Sequence, residues 1–463
     1  MNNNEIVLNP YNQEAIGEVA LTDWAELDGY LQEASELHKD KSQHLPAHER
    51  IAILKRCAAL MFEQKEELAL LIATEGGKPL KDAIVEVDRA IDGVELCTKE
   101  LLHLRGEQIP MDLTQAGTGR LAFTYLEPVG PVVAVSAFNH PLNLIVHQVA
   151  PAVAVNCPVL VKPANDTPLS ALKFVSLLHQ AGLDEKWCRC FLAKIEDTEK
   201  LVTDPRTAFF SFIGSSRVGW YLRSKLAPGT RCSLEHGGAA PVVIDHNVDV
   251  DAILPSLLKG AFYHSGQVCV SVQRIFVHHS IAKELALKVA DATKQLNVGD
   301  AADINTDCGP LIRPAECTRV TEWVEEARAD GAEILSGGKA LSSTLYAPTV
   351  IFNPASHLKV SQLEIFGPVV CIYSYDDIEE AFARANDVPF SFQAAVYSNC
   401  LKTVLRAQHA LEASAVMVND HSAMRVDWMP FAGRKESGYG VGGIGYTMRD
   451  FSEEKMVMIN MPQ

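Results

Sequence analysis

The stretch Gly266-Gln267-Val268-Cys269-Val270 places a cysteine in a glycine-containing turn between two apolar segments. Of the eleven cysteines in the chain, Cys269 is the only one in such a setting. A second stretch upstream, Glu235-His236-Gly237-Gly238, offers a carboxylate in front of two glycines. Because a thiolate is a nucleophile and a carboxylate is a base, the two stretches together indicate covalent chemistry on a carbonyl group.

Length and composition restrict the class of protein. A chain of 463 residues exceeds what one hydrophobic core usually serves, so two or three domains are expected. Hydrophobic residues make up 48% and charged residues 21%, which is typical of a folded globular protein. The formal charge of −17 and the lack of a basic run argue against binding to nucleic acid or to an anionic membrane.

No segment of the sequence indicates secretion or a membrane span. Residues 1–5 have neither the positive nor the apolar region of a secretory signal, and polar residues interrupt the apolar tract 129–161. An odd number of scattered cysteines fits a reducing compartment, so we expect a cytoplasmic protein. The pair Cys188-Arg189-Cys190 has no His/Cys pair near it in sequence, and we predict no metal site.

The order of predicted elements changes along the chain. Helical patterns dominate up to about Leu102, and from Val132 to a helix beginning at Ser215 apolar strands alternate with helices. This alternation predicts a parallel sheet covered on both faces, an architecture that suits a nucleotide. A second α/β segment follows Gly238 and runs to about Pro430.

Two further segments predict exposed β-structure. Residues 105–125 have the alternating pattern of a hairpin, and the tail around 455–459 returns to strand character. Such an arm commonly pairs with another subunit. We therefore expect a homodimer or a homotetramer.

Seven short motifs follow one another in the order typical of one enzyme family. Through these motifs the chain resembles the aldehyde dehydrogenase superfamily over essentially its whole length. The resemblance implies a non-acylating enzyme that oxidises a small aldehyde to the carboxylic acid with NAD or NADP. The motifs are Phe138-Asn139-His140-Pro141, Val161-Lys162-Pro163-Ala164, Phe212-Ile213-Gly214-Ser215-Ser216, Glu235-His236-Gly237-Gly238, Gly266-Gln267-Val268-Cys269, Glu364-Ile365-Phe366-Gly367-Pro368 and Pro430-Phe431-Ala432-Gly433.

The same resemblance implies the fold class and the division into domains. The expected fold is α/β, with a Rossmann-type cofactor domain, an α/β catalytic domain and a small β oligomerisation arm. We place the dinucleotide-binding domain at residues 1–108 and 129–237, the catalytic domain at 238–432, and the arm at 109–128 and 446–463.

Three residues are predicted to perform the chemistry. The Cys269 thiolate adds to the aldehyde to give a thiohemiacetal, whose hydride passes to a nicotinamide and leaves a thioester. Glu235 activates the water that cleaves this thioester. Asn139 and the backbone amide of Cys269 form an oxyanion hole.

The resemblance also implies a cofactor site without a GxGxxG loop. Asn165 stands where many family members that favour NAD carry Glu, and a neutral side chain does not repel a 2′-phosphate. NADP is then tolerated, although an Asn that hydrogen-bonds NAD remains an equal alternative. The predicted cofactor residues are Ser136, Phe138, Lys162, Asn165, Gly214, Ser215, Gly219, Glu364 and Phe366.

Two departures from the family pattern concern the exit of the proton. Where many members carry Lys and Glu, this chain has Gln148 and Gly442. We expect the proton from Glu235 to leave by another route, through water or His147.

The substrate pocket is predicted from family position, and two of its residues are polar where aromatic residues are common. Arg425 can bind a carboxylate or phosphate on the substrate. Alternatively, it forms a salt bridge with Asp427 or with a partner subunit. The predicted pocket residues are Leu144, His147, Val268, Val270, Arg425 and Phe431.

Two rival functions remain at this point. One is a CoA-acylating aldehyde dehydrogenase, against which the retained Glu235 argues because acylating members commonly lack this base. The other is a non-catalytic protein that keeps the fold, which the intact set of Cys269, Glu235 and Asn139 makes a poor fit.

Overall fold

A computed structural model describes residues 4–461, so residues 1–3 and 462–463, at the ends of the predicted cofactor domain and arm, lie outside the described part. The strands are β1 Asn4–Leu8, β2 Ala15–Ala20, β3 Gln108–Ile109, β4 Arg120–Pro128, β5 Val132–Val135, β6 Val159–Lys162, β7 Cys188–Cys190, β8 Phe209–Ile213, β9 Arg231–Glu235, β10 Pro241–Ile244, β11 Arg274–His278, β12 Glu333–Ser336, β13 Thr349–Phe352, β14 Val369–Tyr375, β15 Phe390–Ser391, β16 Gln393–Tyr397, β17 Ala415–Val418, β18 Arg434–Lys435, β19 Gly438–Tyr439 and β20 Ser452–Asn460.

The helices account for most of the remaining regular structure. They are α1 Trp24–Lys39, α2 Ala47–Glu63, α3 Lys65–Gly76, α4 Leu80–Glu100, α5 Asn143–Ala154, α6 Leu169–Gln180, α7 Ile195–Thr203, α8 Ser216–Arg223, α9 Val250–Phe262, α10 His279–Thr293, α11 Pro314–Ala329, α12 Lys359–Gln362, α13 Ile378–Asn386, α14 Leu401–Ala410 and α15 Ile444–Asp450, with 3-10 turns at Lys41–Gln43, Gln115–Gly117, Glu185–Trp187 and Tyr263–Gly266.

The first large sheet has the strand order β19-β9-β8-β5-β6-β7. All pairs from β9 to β7 are parallel, and only β19 joins antiparallel. Helices α2 to α6 cover one face and α1 covers the other, which explains why its inner strands are apolar on both sides. The predicted parallel sheet covered on both faces is confirmed.

The second large sheet has the order β12-β13-β14-β11-β10-β16-β17. Its pairs are parallel except for β12 with β13. One core lies between this sheet and α9 and α10, and another lies between the sheet and α11, α13 and α14. This segment is the second α/β unit that the sequence predicts.

A third sheet has the order β20-β4-β3 and corresponds to the predicted arm. Strands β20 and β4 pair antiparallel over nine positions, from Ser452 opposite Pro128 to Asn460 opposite Arg120. The C-terminal arm segment, predicted from residue 446, begins instead within helix α15 and only then becomes a strand.

Two local predictions differ from the structure. The apolar pattern of residues 48–71 predicts one helix but belongs to two, because Gln64 leaves the helical conformation between α2 and α3. The sequence pattern also does not identify β7, β9, β12, β13, β16 or β17 as strands. Within residues 4–461, no helix is both long and apolar enough to cross a bilayer.

A buried carboxylate on α4, that of Glu86, binds both Lys78 and the start of α5. Lys78 and Glu86 have fully buried side chains and form a salt bridge. The other oxygen of Glu86 accepts hydrogen bonds from the backbone N–H groups of Leu142 and Asn143, at 3.0 and 3.1 Å. A carboxylate at a helix N-terminus satisfies N–H groups that lack helical partners. Glu86 therefore fixes the helix that follows the Asn139 motif.

Replacing Lys78 by Met is expected to lower the free energy of unfolding by about 3–5 kcal/mol, because Glu86 is left as a buried unpaired charge. The matched control is Lys99→Met in the last turn of α4, whose partner Glu95 is exposed, with an expected loss below about 1 kcal/mol. Urea unfolding followed by circular dichroism measures both. Equal losses in the two variants would contradict this role for the Lys78–Glu86 pair.

Candidate active site

A cavity of about 600 Å³ is lined by residues from both large α/β segments. It brings together the predicted nucleophile, base and oxyanion residue with all six predicted pocket residues. Six of the nine predicted cofactor residues also line it, namely Ser136, Phe138, Gly214, Ser215, Glu364 and Phe366. The other three, Lys162, Asn165 and Gly219, do not line the cavity, although Ala164 and Asp166 do.

The loop before Cys269 adopts an uncommon backbone conformation. His264, Ser265 and Gly266 have φ values of +47°, +54° and +72°, so three consecutive residues lie in the left-handed region. A Cβ on Gly266 would lie 2.1 Å from the carbonyl oxygen of Gly367. The glycine is therefore required by the close approach of the Glu364–Pro368 motif.

Side-chain hydrogen bonds hold this nucleophile loop on two sides. Ser265 Oγ donates to the Gly309 carbonyl at 2.7 Å, and Gln267 Oε1 accepts from the N–H of Ile312 at 3.0 Å. From the other α/β segment, Asn139 Nδ2 donates to the Gln267 carbonyl at 2.9 Å. An amide nitrogen carries two hydrogens, so Asn139 keeps one to donate to a developing oxyanion.

The Cys269 thiol is in its neutral form in the absence of ligands. Burial raises the pKa of this thiol to about 12, while the positive charge of Arg425 acts in the opposite direction. Since the thiolate is the reactive form, catalysis requires a base or an additional positive charge near Cys269.

Glu235 is positioned by strand β9, of which it is the last residue. Burial raises the pKa of its carboxyl group, against the opposing charge of Arg425. A Cβ at Gly442 would lie 1.9 Å from Glu235 Oε1, so this glycine makes room for the carboxylate. The other departure, Gln148, donates to Ser211 at 3.2 Å (carbonyl) and 3.0 Å (Oγ) and does not line the cavity.

The predicted phosphate-binding turn lies at the start of α8, where no side chain caps the first N–H groups of the helix. The N–H of Gly214 itself donates to the Glu235 carbonyl at 3.0 Å. His236 Nδ1 donates to the Gly214 carbonyl of this turn at 3.0 Å. The His236 ring packs directly against Gly219. A Cβ at position 219 would lie 2.0 Å from Cε1 of His236, so the close contact requires glycine. Ser136 Oγ is buried without a hydrogen-bond partner in residues 4–461, which fits a cofactor hydroxyl.

Two other predicted cofactor residues form a pair. Lys162 Nζ donates to Asn165 Oδ1 at 2.7 Å. Burial lowers the pKa of Lys162 to about 8. The partner of Lys162 in this hydrogen bond is a neutral amide and not a carboxylate. The Lys162–Asn165 pair therefore does not repel a phosphate on the ribose.

Glu364 lies against the glycines that follow the base. Its carboxylate accepts from the N–H of Gly238 at 3.1 Å, and a Cβ on Gly237 would lie 2.0 Å from it. Burial raises the pKa of Glu364 to about 8. Phe366, with a φ of +49°, packs edge-to-face against Phe138 at 5.7 Å between ring centroids.

Arg89 and Asn143 line the cavity and were missed by the sequence analysis. Arg89 donates two hydrogen bonds to Asp427, from Nε at 3.0 Å and from Nη2 at 2.7 Å. A signal for Arg89 existed, since Asp82, Glu86 and Arg89 recur at helical spacing among apolar residues of α4. Charged residues on a buried face indicate partners elsewhere in the fold.

The alternative salt bridge between Arg425 and Asp427 is wrong. Asp427 is already bound by Arg89, and it also accepts from His147 Nε2 at 2.8 Å. The Arg425 guanidinium instead lies over the Phe431 ring, 3.4 Å from its centroid. Its Nε is buried without a hydrogen-bond partner among residues 4–461.

The sequence model of the aldehyde dehydrogenase family matches residues 2–457. The chain belongs to the aldehyde dehydrogenase family. It is an NAD(P)-dependent enzyme that oxidises aldehydes, and the predicted fold class, reaction class and cofactor are confirmed. Among the described residues, no group of three or more His, Cys, Asp or Glu side chains could hold a metal ion.

Three similar proteins illustrate the range of the family. The 3-sulfolactaldehyde dehydrogenase of Priestia aryabhattai is 36% identical over 456 residues, which are 98% of this chain and 94% of that protein. An aldehyde dehydrogenase of Physcomitrella patens, solved with its reaction product succinate, has 33% identity, a TM-score of 0.95 and coverage of 99% and 95%. The glyceraldehyde-3-phosphate dehydrogenase GapN of Methanocaldococcus jannaschii, solved with NADP, has 33% identity, a TM-score of 0.94 and coverage of 98% and 99%.

Glu364→Gln is expected to stabilise the fold in a pH-dependent way. The pKa of Glu364 is about 8 in the folded protein, whereas its ordinary value is 4.5. The stability contributed by the neutral carboxyl group is therefore fully present below pH 4.5 and is lost as the pH rises through 8. Gln stays neutral, and it can still accept from Gly238. We expect the Tm of the variant to exceed that of the wild type by about 2 °C above pH 8 and to match it near pH 4.5. Calorimetry over this pH range checks it, and a constant difference would contradict the assigned cause.

Proposed function

We propose that the protein oxidises a small aldehyde that carries an anionic group to the corresponding carboxylic acid. Cys269 is the nucleophile, Glu235 is the base and Asn139 stabilises the oxyanion. Arg425 binds the anionic group of the substrate.

The observation that carries this proposal is the unpaired guanidinium of Arg425 in the pocket wall. Within residues 4–461, this side chain forms no ion pair within 4 Å, since the nearby Asp427 is occupied by Arg89 and His147. A half-buried cation without a bonded anion is costly, and a carboxylate, sulfonate or phosphate on the substrate relieves that cost. The ring of Phe431 holds the guanidinium plane from one side.

The names of the three similar proteins described above point to aldehydes of this kind, whereas two lactaldehyde dehydrogenases at 33% and 34% identity are named for an aldehyde without an anionic group. The first three names specify 3-sulfolactaldehyde and glyceraldehyde 3-phosphate as substrates and succinate as a product. These compounds carry a sulfonate, a phosphate and a carboxylate, so the common feature is an anion, in agreement with the unpaired Arg425.

The proposed reaction begins with loss of the Cys269 proton to Glu235. The thiolate adds to the aldehyde carbon, and the new oxyanion accepts hydrogen bonds from Asn139 Nδ2 and the Cys269 N–H. NAD or NADP, when bound, takes up the hydride. Glu235 next releases the proton taken from Cys269 to solvent and becomes a carboxylate again. It then removes a proton from a water molecule, which attacks the thioester carbon, and the departing Cys269 thiolate recovers a proton from Glu235 as the acid is released.

The cofactor is proposed to bind through the nine predicted residues. The turn of Gly214 and Ser215 would hold the pyrophosphate, and Lys162 with Asn165 would hold the adenosine ribose. Glu364 would bind the nicotinamide ribose, Phe366 and Phe138 would pack near the nicotinamide, and Ser136 would bond a cofactor hydroxyl. Gly219 would support the pyrophosphate turn from behind. Because Asn165 carries no charge, we propose that NADP and NAD are both accepted.

We also propose the division into domains, the oligomeric state and the cellular compartment. The separation of the sheets supports the domain limits at residues 128, 237 and 432, whereas the limit at 108 divides strand β3 of the third sheet. Strand β20 is an edge strand with exposed Met456 and Met458, which supports pairing of the arm in a homodimer or homotetramer. Eleven free cysteines support a reducing compartment, the cytoplasm.

The first experiment measures NADH and NADPH formation by absorbance with a panel of anionic, neutral and aromatic aldehydes. We expect the highest kcat/KM for a short anionic aldehyde, turnover with both cofactors, and complete loss in Cys269→Ala. Turnover only after coenzyme A is added would favour the acylating rival. Cofactor binding without turnover of any aldehyde would favour a non-catalytic protein.

The second experiment tests Arg425 directly. Arg425→Gln is expected to lower kcat/KM for an anionic aldehyde by about 100-fold, because a charged hydrogen-bonding partner is lost. A neutral aldehyde of equal length serves as the internal control, since loss of the charge also raises the pKa values of Cys269 and Glu235 for every substrate. Equal losses for both aldehydes would refute anion binding by Arg425. Arg425→Lys, which keeps the charge without the planar fork, is expected to fall in between.

A further inference from the structure

Asp427 collects four hydrogen bonds at one wall of the cavity. Arg89 donates two of them, His147 Nε2 lies 2.8 Å from Asp427 Oδ1, and Asn143 Nδ2 lies 3.2 Å from the same oxygen. Burial acts to raise the pKa of Asp427, but its bonds to His147 and Arg89 hold that pKa well below the usual range. Asp427 is therefore ionised and can only accept hydrogen bonds.

Because Asp427 is ionised, His147 and Asn143 must each direct a donor atom toward it, which leaves an acceptor atom of each residue facing away from Asp427. The proton of His147 must reside on Nε2, which leaves Nδ1 with a free lone pair. The amide of Asn143 must turn Nδ2 toward Asp427, which turns the acceptor Oδ1 away. Burial lowers the pKa of His147, against the opposing effect of Asp427, so the imidazole is neutral.

Neither of these two acceptors has a donor. Asn143 Oδ1 is buried and receives no hydrogen bond within residues 4–461. In the same range, the hydrogen bond of the His147 ring is the one that Nε2 donates to Asp427. Both side chains are more than nine-tenths buried, at 3% and 6% exposure. The backbone N–H of Asn143 also donates to Glu86, so its position is fixed from a second side. Buried acceptors without donors are rare in folded proteins and are expected to meet a donor in the working complex.

Both residues line the cavity that contains Cys269, together with Arg425. Arg425 supplies donors, while His147 and Asn143 supply acceptors. We propose that the pocket selects aldehydes that carry a hydroxyl group on the carbon chain, which donates to the acceptor pair of His147 Nδ1 and Asn143 Oδ1. This inference rests on the proposed aldehyde oxidation and adds a second recognition element to it.

Two matched pairs of substrates separate the hydroxyl group from the anionic group. The neutral pair is 2-hydroxypropanal and propanal, and the anionic pair is glyceraldehyde 3-phosphate and 3-oxopropyl phosphate. The wild-type enzyme is expected to prefer the hydroxylated member of each pair by about 10- to 100-fold in kcat/KM, the effect of satisfying a buried acceptor. The neutral pair gives this answer whether or not Arg425 binds an anion.

Three variants assign the preference to the two residues. In His147→Phe and Asn143→Leu, the preference is expected to fall to within about threefold, mainly through a higher KM for the hydroxylated aldehyde. His147→Gln retains a donor for Asp427 and an acceptor for the substrate, so it is expected to keep most of the preference. This rescue distinguishes hydrogen-bond recognition from a loss of packing, and the Tm of each variant is measured alongside.

Two results would overturn the inference. Turnover of both pairs by the wild type without a preference would refute hydroxyl recognition and leave the proposed oxidation standing. A wild-type preference that persists unchanged in His147→Phe and Asn143→Leu would likewise assign it elsewhere. No turnover of any of the four aldehydes would refute the proposed function together with this inference.

Discussion

The hydrogen bond from Asn139 to the carbonyl of Gln267 joins the two halves of the reaction centre. Asn139 follows strand β5 of one large sheet, whereas Gln267 belongs to the strained loop that precedes strand β11 of the other. Three consecutive left-handed residues are tolerated there because bonds from the surrounding structure fix the loop on several sides. The nucleophile, the oxyanion donor and the backbone amide of Cys269 therefore have one relative geometry before substrate arrives.

Charge is distributed unevenly across this site, and the distribution follows from Asp427. This carboxylate neutralises Arg89 and leaves Arg425 as the free cation beside Cys269 and Glu235. Burial raises the pKa values of the thiol and the carboxyl group, and the positive charge of Arg425 opposes both shifts. A single guanidinium thus serves the ionisation of the two reacting groups as well as the proposed binding of an anion.

Much of the architecture could be predicted from the sequence, because long apolar strands and helices leave clear periodic patterns. Short strands such as β7 and β9 were missed, since three to five residues do not establish a period. The residues of the site were found where a motif fixes the neighbours of a side chain, as for Cys269, Glu235 and Asn139. Arg89 and Asn143 lie outside any motif, and their partner Asp427 is 338 and 284 residues away. Which of two arginines an aspartate binds depends on packing in three dimensions, so the sequence left the partner of Arg425 open between the substrate, Asp427 and another subunit.

The pairing of β20 with β4 has a consequence for biosynthesis. Their side chains meet across 330 residues of sequence, as in the contact of Thr124 with Glu454. Because the ribosome delivers the chain from the N-terminus, β4 emerges long before its partner strand exists, and closing so long a loop is slow. One edge of β4 stays uncovered until residues 452–460 have been synthesised. The arm therefore forms late, and assembly of any oligomer through it must wait until β20 is available.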